Sequence, residues 1–419
     1  GTQYPAWDIP LDAEGRVDEV AAAAGDPVNC AVPFDEWPQA VNPARQYVAN
    51  ANNDVGAISL DNDPWNDPYY VGGPWDPGYR VDRITTRLEA AISDGTATID
   101  EMADIQGDHH SNLGEDFVPL LLEVIGAARD AAGGSPAAGS PEERMAAMYT
   151  ANTAAIEEVE DRMMQWQSDG LPTPSGVDTF YNVSNEDTRR QSVATMIFAA
   201  WLPRMIQGVW NDEGIDGSVN PGGNWQLRSL HRLVDGRGAG DPLELPSFDP
   251  ATNESVFFDD LGTESVVESS QEIGLSALVA TLTFLSGPTD EDGQSGGFGT
   301  DDMSQWIWGL RHQVRFESLL VDFVGDDPLI AAFFEDFNVT TDRMPLAEDL
   351  DASDPRGSLT WFPRPGDQYE VDAANPGFSG TRFTHRNGPV MRTVVALGPD
   401  GVEGQNTIPG GQSGNPDSE

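Results

Sequence analysis

An asparagine-rich run, Asn-Ala-Asn-Asn-Asp at residues 50–54, holds the most informative polar side chains in this 419-residue chain. An amide side chain held at a strand end can donate a hydrogen bond to a developing oxyanion, and one such donor supplies about 3 kcal/mol of transition-state stabilisation. Asparagine is also common in turns, where its side chain bonds to nearby backbone. The run by itself leaves both interpretations open, an oxyanion donor and a turn.

Other candidates for catalysis or metal binding have weaker support. Asp108, His109 and His110 could offer metal ligands, but adjacent residues on a helix point in different directions and a His-Glu-x-x-His spacing is absent. His312 lies in an aromatic stretch, where a packed or hydrogen-bonded histidine is the ordinary role. Ser413 has no group nearby in the sequence that could act as its base. None of these residues predicts a site.

The single cysteine, Cys30, is interpreted as a buried structural thiol because no histidine lies near it in the sequence. It cannot form an internal disulfide, so it does not reveal the redox compartment. A Gly-x-Ser-x-Gly elbow, a P-loop and a dinucleotide fingerprint are all missing from the sequence. A run of eighteen apolar residues is missing as well, which argues against a membrane-spanning helix.

The charge balance excludes several classes of partner. The chain has 70 Asp and Glu against 22 basic residues, all of them Arg, for a net charge of −48. Such a field repels phosphate, so nucleic acid and anionic membranes are poor partners. A hydrophobic fraction of 38% and eleven tryptophans indicate a folded protein with an acidic surface. Molar salt would screen the repulsion among these carboxylates, and the forked side chain of Arg pairs well with carboxylates. The composition therefore predicts adaptation to high salt, and the alternative is a merely acidic protein.

Local patterns predict strands and loops up to about residue 67, then a helical region, then strands again. Helical periodicity marks four segments: 80–92, 145–166, 189–209 and 265–285. Thr98 and Ser140 each stand three residues before a Glu, the spacing of a capping box. The clearest strand is 390–397, closed by Gly-Pro-Asp-Gly. The order is therefore β-rich, helical and β-rich.

Six segments occur in an order that is typical of one family. The stretch 42–53, Asn-Pro-Ala-Arg-Gln-Tyr-Val-Ala-Asn-Ala-Asn-Asn, resembles NP-x-x-GY-I-x-x-ANN, and 75–84 resembles W-x-P-x-YR-x-x-RI. The other four similar segments are 106–111, 306–312, 388–392 and 408–414. Together they resemble the penicillin acylase family, in the C-terminal part of its large chain. Gln46 replaces the usual Gly and Val390 the usual Ser.

The resemblance implies an α+β fold. It is the four-layer αββα sandwich of the N-terminal-nucleophile hydrolases, here partial and with a large helical insertion. Residues 1–75 would form a strand and loop part of the core that carries the oxyanion asparagine, and 76–290 a mainly helical region. Residues 291–419 would form a loop followed by C-terminal strands that return to the core.

The resemblance also implies an amide hydrolase that acts through an acyl-enzyme on N-acyl substrates, such as β-lactam side chains or acyl-homoserine lactones. In the family the N-terminal Ser of the large chain is the nucleophile and its α-amino group the base. That Ser, most of the acyl pocket and the small α chain of the same precursor are expected upstream of Gly1. By alignment Asn52 is the oxyanion donor, Arg80 organises the site, and Asn53 lies at the substrate or supports the loop.

A structural calcium ion is the cofactor that the resemblance implies, and no organic cofactor is expected. Asp67 is the first candidate ligand and Asp63 the second, since carboxylate oxygens suit Ca²⁺; solvated surface carboxylates are the alternative. The resemblance also implies an extracellular or periplasm-like location. The rival hypothesis for function is a non-catalytic descendant that binds a ligand or serves as an extracellular structural protein.

Overall fold

A computed structural model describes residues 39–54, 75–179, 183–213, 223–235, 248–249, 254–290, 293–315, 329–330, 351, 353–354, 356, 359–389, 391–399 and 401–407. The chain forms two compact units, residues 1–94 and 95–419. The three-part division at 75/76 and 290/291 stays a prediction.

The described part of the first unit consists of a loop, residues 39–54, the non-helical residues 75–78 and helix α1, Tyr79–Asp94. The helix predicted at 80–92 is therefore confirmed. Ala91 is its buried residue. Tyr47 in the loop donates to Glu89 Oε1 of α1 at 2.8 Å, so this hydrogen bond connects the loop to the helix.

The larger unit is mainly helical. Its described helices are α2 Ile99–Gln106, α3 Asn112–Gly133, α4 Pro141–Ser168, α5 Glu186–Trp210, α6 Gly223–Asp235 and α7 Ser270–Ser286. Thr98 accepts from Glu101 N at 3.2 Å and Ser140 accepts from Glu143 N at 3.3 Å. Both side chains satisfy an amide that the helix itself leaves unbonded, so the two predicted helix starts are confirmed.

The core of this unit lies among α3, α4, α5 and α7, which pack on one another. The predicted apolar face of α4 is buried through Met145, Ile156, Val159, Met163 and Trp166. Such a face supplies the burial that stabilises long helices, since propensity alone contributes little. The methionine and tryptophan side chains on this face of α4 are thus a packing surface.

The described strands form three antiparallel pairs: β1 Phe248–Asp249 with β2 Glu254–Ser255, β3 Gln313–Val314 with β4 Phe362–Pro363, and β5 Arg392–Gly398 with β6 Gly401–Thr407. The strand predicted at 390–397 corresponds to β5. Its turn ends at Gly401, whose φ of 135° suits glycine because it has no Cβ. Helices and short strands together confirm an α+β fold, while the four-layer sandwich stays a prediction.

Candidate functional site

The asparagine run forms a turn that two of its own side chains hold in place. Asn50 Oδ1 accepts a hydrogen bond from Asn52 N at 2.9 Å. Asn53 Oδ1 accepts one from Ala51 N at 3.0 Å. Asn52 has a φ of 63°, a left-handed conformation that asparagine adopts more readily than most residues. The turn interpretation therefore applies to Asn50 and Asn53, and Asn52 is left exposed.

Arg80, in the first turn of α1, binds this turn through one nitrogen. Its Nη2 donates to Asn52 Oδ1 at 2.8 Å and to Ala51 O at 2.9 Å. A guanidinium group only donates, so the amide oxygen of Asn52 must face Arg80. The Nδ2 group of Asn52 then lies on the other side of the amide, where it can donate to a ligand. The structure thus brings the predicted pair Asn52 and Arg80 together.

Asp76 is a third member of the site, and the sequence motifs did not predict it. Its Oδ2 accepts from Arg80 Nη2 at 3.0 Å, and its backbone N donates to Asn52 O at 2.8 Å. The Asp76 side chain is only 9% exposed. Asp76 therefore anchors both the guanidinium and the backbone of the turn. The available signal was its place within the 75–84 motif, four residues before Arg80, although Asp76 itself precedes α1.

Gln46 explains a departure from the family motif. Its φ is 66° and its N donates to Pro43 O at 2.9 Å, so it closes a tight turn in the left-handed region. Glycine adopts this conformation without the steric cost that a side chain brings, which accounts for the glycine in the motif. The turn therefore forms in this chain despite the substitution.

The remaining predicted site residues are placed as follows. Asn53 bonds to the backbone of the turn through Oδ1, and its Nδ2 lies 3.4 Å from Asp54 O, so its substrate-binding role stays a prediction. The candidate calcium ligands Asp63 and Asp67 lie outside the described residues. Within the described residues, no group of three or more His, Cys, Asp or Glu side chains could hold a metal ion.

The histidines considered as metal ligands bond to protein groups. Asp108, His109 and His110 lie in the connection between α2 and α3, so placing them on a helix was wrong. His109 Nε2 is 2.5 Å from Asp372 Oδ2, and His110 Nδ1 is 2.9 Å from Gly170 O. Burial lowers the pKa of His109 to about 4. These contacts tie the connection to other segments of the larger unit.

His312 is a structural residue, as expected. Its ring stacks on Trp308 with 4.6 Å between centroids, and its Nδ1 is 2.7 Å from Phe383 O. Complete burial lowers its pKa to about 3. An imidazole in this position is neutral and packed, so it does not serve as an exposed base.

Comparison with known proteins identifies the family of this chain. The family model for penicillin amidase matches residues 5–419. The chain therefore belongs to the penicillin amidase family, a family of amide hydrolases. No curated protein and no solved structure matches. A helix long and apolar enough to cross a membrane does not occur in the described ranges.

Proposed function

We propose that this protein is an N-acyl amide hydrolase that forms an acyl-enzyme, with Asn52 as an oxyanion donor. One observation carries the proposal: Arg80 Nη2 binds Asn52 Oδ1 at 2.8 Å and so directs the amide NH₂ outward. The nucleophile in this proposal is a Ser on a segment upstream of Gly1. Family membership over residues 5–419 supports the amide-hydrolase class.

The proposed reaction uses the family's two-step chemistry. The Ser hydroxyl attacks the acyl carbonyl while the α-amino group of that Ser takes the proton, the amine leaves, and water then releases the acid. During each attack the carbonyl oxygen becomes negative. Asn52 Nδ2 donates to that oxygen, and a donor fixed in advance is worth about 3 kcal/mol because it needs no reorganisation.

Arg80 and Asp76 act on Asn52 in this scheme and do not touch the substrate. Arg80 holds the amide by its oxygen, and Asp76 holds Arg80 through a carboxylate that is largely shielded from solvent. Such supporting contacts limit the rotation of the amide, since a swing about its side-chain torsions would move the donor away from the oxyanion.

Asn52→Ala in the mature enzyme that contains this chain tests the proposal. We expect kcat to fall about 10²–10³-fold with little change in KM, because the lost hydrogen bond forms mainly in the transition state. The measurement is hydrolysis of a panel of chromogenic N-acyl anilides. Asn52→Asp should be at least as impaired, since a carboxylate cannot donate and repels the oxyanion.

Asn211→Ala is the matched control. Asn211 is an exposed asparagine at the end of α5, so its loss should leave kcat unchanged. Equal kcat values for wild type and Asn52→Ala would contradict the role of Asn52. A mature protein that hydrolyses none of the panel would favour the non-catalytic descendant.

We also propose that a structural calcium ion binds Asp67 and Asp63. The proposed partners are the small α chain and the nucleophile-bearing segment of the same precursor. The proposed location is extracellular or periplasm-like. Family resemblance supports these proposals. Calcium that raises Tm equally in wild type and Asp67→Ala would count against Asp67 as a ligand.

A further inference from the structure

Two buried carboxyl groups lie in the larger unit and take no part in the proposed hydrolysis. Asp367 and Glu370 follow β4, with exposures of 3% and 0%. Gly366 N donates to Thr173 O at 2.9 Å, and Asn112 Nδ2 donates to Tyr369 O at 2.8 Å. Residues 366–372, called the carboxyl segment below, are thus bound to the start of α3 and to the connection that follows α4.

Asp367 has the surroundings of an ionised carboxylate. Ser111 Oγ accepts from Gly114 N at 3.0 Å and donates to Asp367 Oδ2 at 2.5 Å. The single proton of the Ser111 hydroxyl therefore goes to Asp367. Burial nevertheless raises the pKa of Asp367 to about 7, and the bond from Ser111 acts in the opposite direction. The hydrogen bonds of Asp367 are thus satisfied in its ionised form.

Glu370 has surroundings that favour the protonated acid. Thr173 Oγ1 is 2.8 Å from His109 O and is also in hydrogen-bond contact with Glu370 Oε1. An ionised Glu370 would make both neighbours acceptors, but a hydroxyl has only one proton to donate. A protonated Glu370 removes the conflict, because Thr173 then donates to His109 O and Glu370 donates its own proton from Oε1 to Thr173 Oγ1.

The pair also lacks compensation for two negative charges. Asp367 Oδ1 and Glu370 Oε2 are buried and have no hydrogen-bond partner among the described residues. Arg364 Nη2, 3.2 Å from Asp372 Oδ2, and Arg392 pair with Asp372 instead. The other ionisable groups of this region are Asp108, His109, His312 and His385, and burial lowers the pKa of all three histidines. Two ionised carboxylates here would therefore be costly.

We propose that Glu370 keeps its proton in the folded protein and acts as a pH-sensitive latch, a neutral acid that holds the carboxyl segment on α3 and on the connection after α4. Ionisation of Glu370 would place a second negative charge beside Asp367 and leave Thr173 between two acceptors. Both effects weaken the attachment of the carboxyl segment.

The direction of the pH effect follows from proton binding. Burial, with a smaller effect of the Asp367 charge, raises the pKa of Glu370 above its ordinary value. The folded protein thus keeps a proton that the unfolded chain releases near pH 4, at about the ordinary pKa of glutamate. The stabilisation from Glu370 is therefore complete below about pH 4 and is lost as the pH rises toward the folded-state pKa.

Glu370→Gln tests the latch, because glutamine is neutral and can still donate. In Tm measurements from about pH 4 to pH 9 at constant high salt, wild type and variant should melt at similar temperatures near pH 4. The variant should then melt increasingly higher than wild type as the pH rises. At pH 7 the infrared difference spectrum, wild type minus variant, should contain the carbonyl stretch of a protonated carboxyl group. The subtraction removes the contribution of Asp367, whose pKa burial raises to about 7.

Glu272→Gln is the matched control. Glu272 is also buried, but it accepts from Arg144 Nε at 2.5 Å. Glu272→Gln should therefore lower Tm, and the Tm of this variant should not rise above that of wild type as the pH increases. A Tm difference between wild type and Glu370→Gln that stays constant from about pH 4 to pH 9 would overturn the proposal. Wild type without the protonated-carboxyl band at pH 7 would overturn it as well, even if the variant did not fold.

Discussion

At the scale of residues, the turn interpretation is confirmed for Asn50 and Asn53, while the role of Asn52 as an oxyanion donor stays a proposal. Asn50 and Asn53 bond to backbone amides within the run, as turn asparagines do. Asn52 bonds through its oxygen to Arg80 and presents its NH₂ group. The contact with Arg80, 28 positions along the chain, distinguishes Asn52 from its neighbours, so composition alone could not assign the roles.

Asp76→Ala should lower kcat about 10–100-fold while KM changes little, because the group it orients acts mainly in the transition state. Without the carboxylate, Arg80 loses its ion-pair partner and Asn52 its fixed orientation. Steady-state kinetics of the mature enzyme measure this. Asp76→Asn keeps an oxygen acceptor for Arg80 and should recover part of the loss.

Asp82→Ala is the control for that change. Asp82 is an exposed carboxylate on the same helix, in its first turn, and its loss should leave kcat within about twofold of wild type. If Asp76→Ala retained the wild-type kcat, its anchoring contacts would have no bearing on the reaction.

At the scale of elements, the helices are explained by features close together in sequence. Ser140 caps α4, and the buried residues of that helix recur at the helical period. How the helices approach one another depends on pairs far apart in sequence. Gly274 of α7 lies so close to α3 that a Cβ there would come within 2.8 Å of Val124 Cγ2.

Gly274→Ala should therefore destabilise the protein by about 1–3 kcal/mol, because a well-packed core accommodates an added methyl group only by shifting its neighbours. Trp201 Nε1 donates to Gly274 O at 3.1 Å, which further limits movement of the backbone at this position. Thermal or denaturant unfolding in high salt measures the loss.

Gly126→Ala provides the matched comparison on the neighbouring helix α3. A Cβ at Gly126 would meet no other atom within 4 Å, so this change should stabilise the protein by up to about 1 kcal/mol through helix propensity. Two substitutions of the same kind should thus have opposite signs. Equal effects of the two would mean that the approach of α7 to α3 is not as close as described.

At the scale of the whole molecule, the dominant feature is the net charge of −48. Arginine pairs relieve it locally, as where Arg144 binds both oxygens of Glu272 at 2.5 and 2.6 Å. With 70 acidic and 22 basic residues, many carboxylates cannot have an arginine partner even where one arginine binds two of them. Solution ions must therefore screen the remaining repulsion.

Removing salt should accordingly destabilise the folded protein. We expect Tm to fall when NaCl is lowered from about 3 M to about 0.1 M, as the Debye length grows from roughly 2–3 Å to about 10 Å. A protein of similar size and near-zero net charge is the control, in which the same dilution should have a much smaller effect. Equal stability of this protein at both concentrations would refute salt adaptation.

Several features were predictable because their physical causes are local or compositional. Helix starts, the apolar face of α4, the strand that became β5 and the packed role of His312 depend on neighbouring residues. The α+β class and the family followed from six ordered motifs, now supported by the family match over residues 5–419.

The sequence by itself determined the acidic composition, the helical segments and the strand that forms β5, and the family resemblance identified Asn52 and Arg80 as a pair. Tertiary structure alone decided which way the Asn52 amide faces, that Asp76 joins the pair, and that Asp367 and Glu370 meet in the core. The reason is physical: hydrogen bonds and burial between distant segments depend on how the chain folds back on itself, and no local pattern of residues encodes that approach.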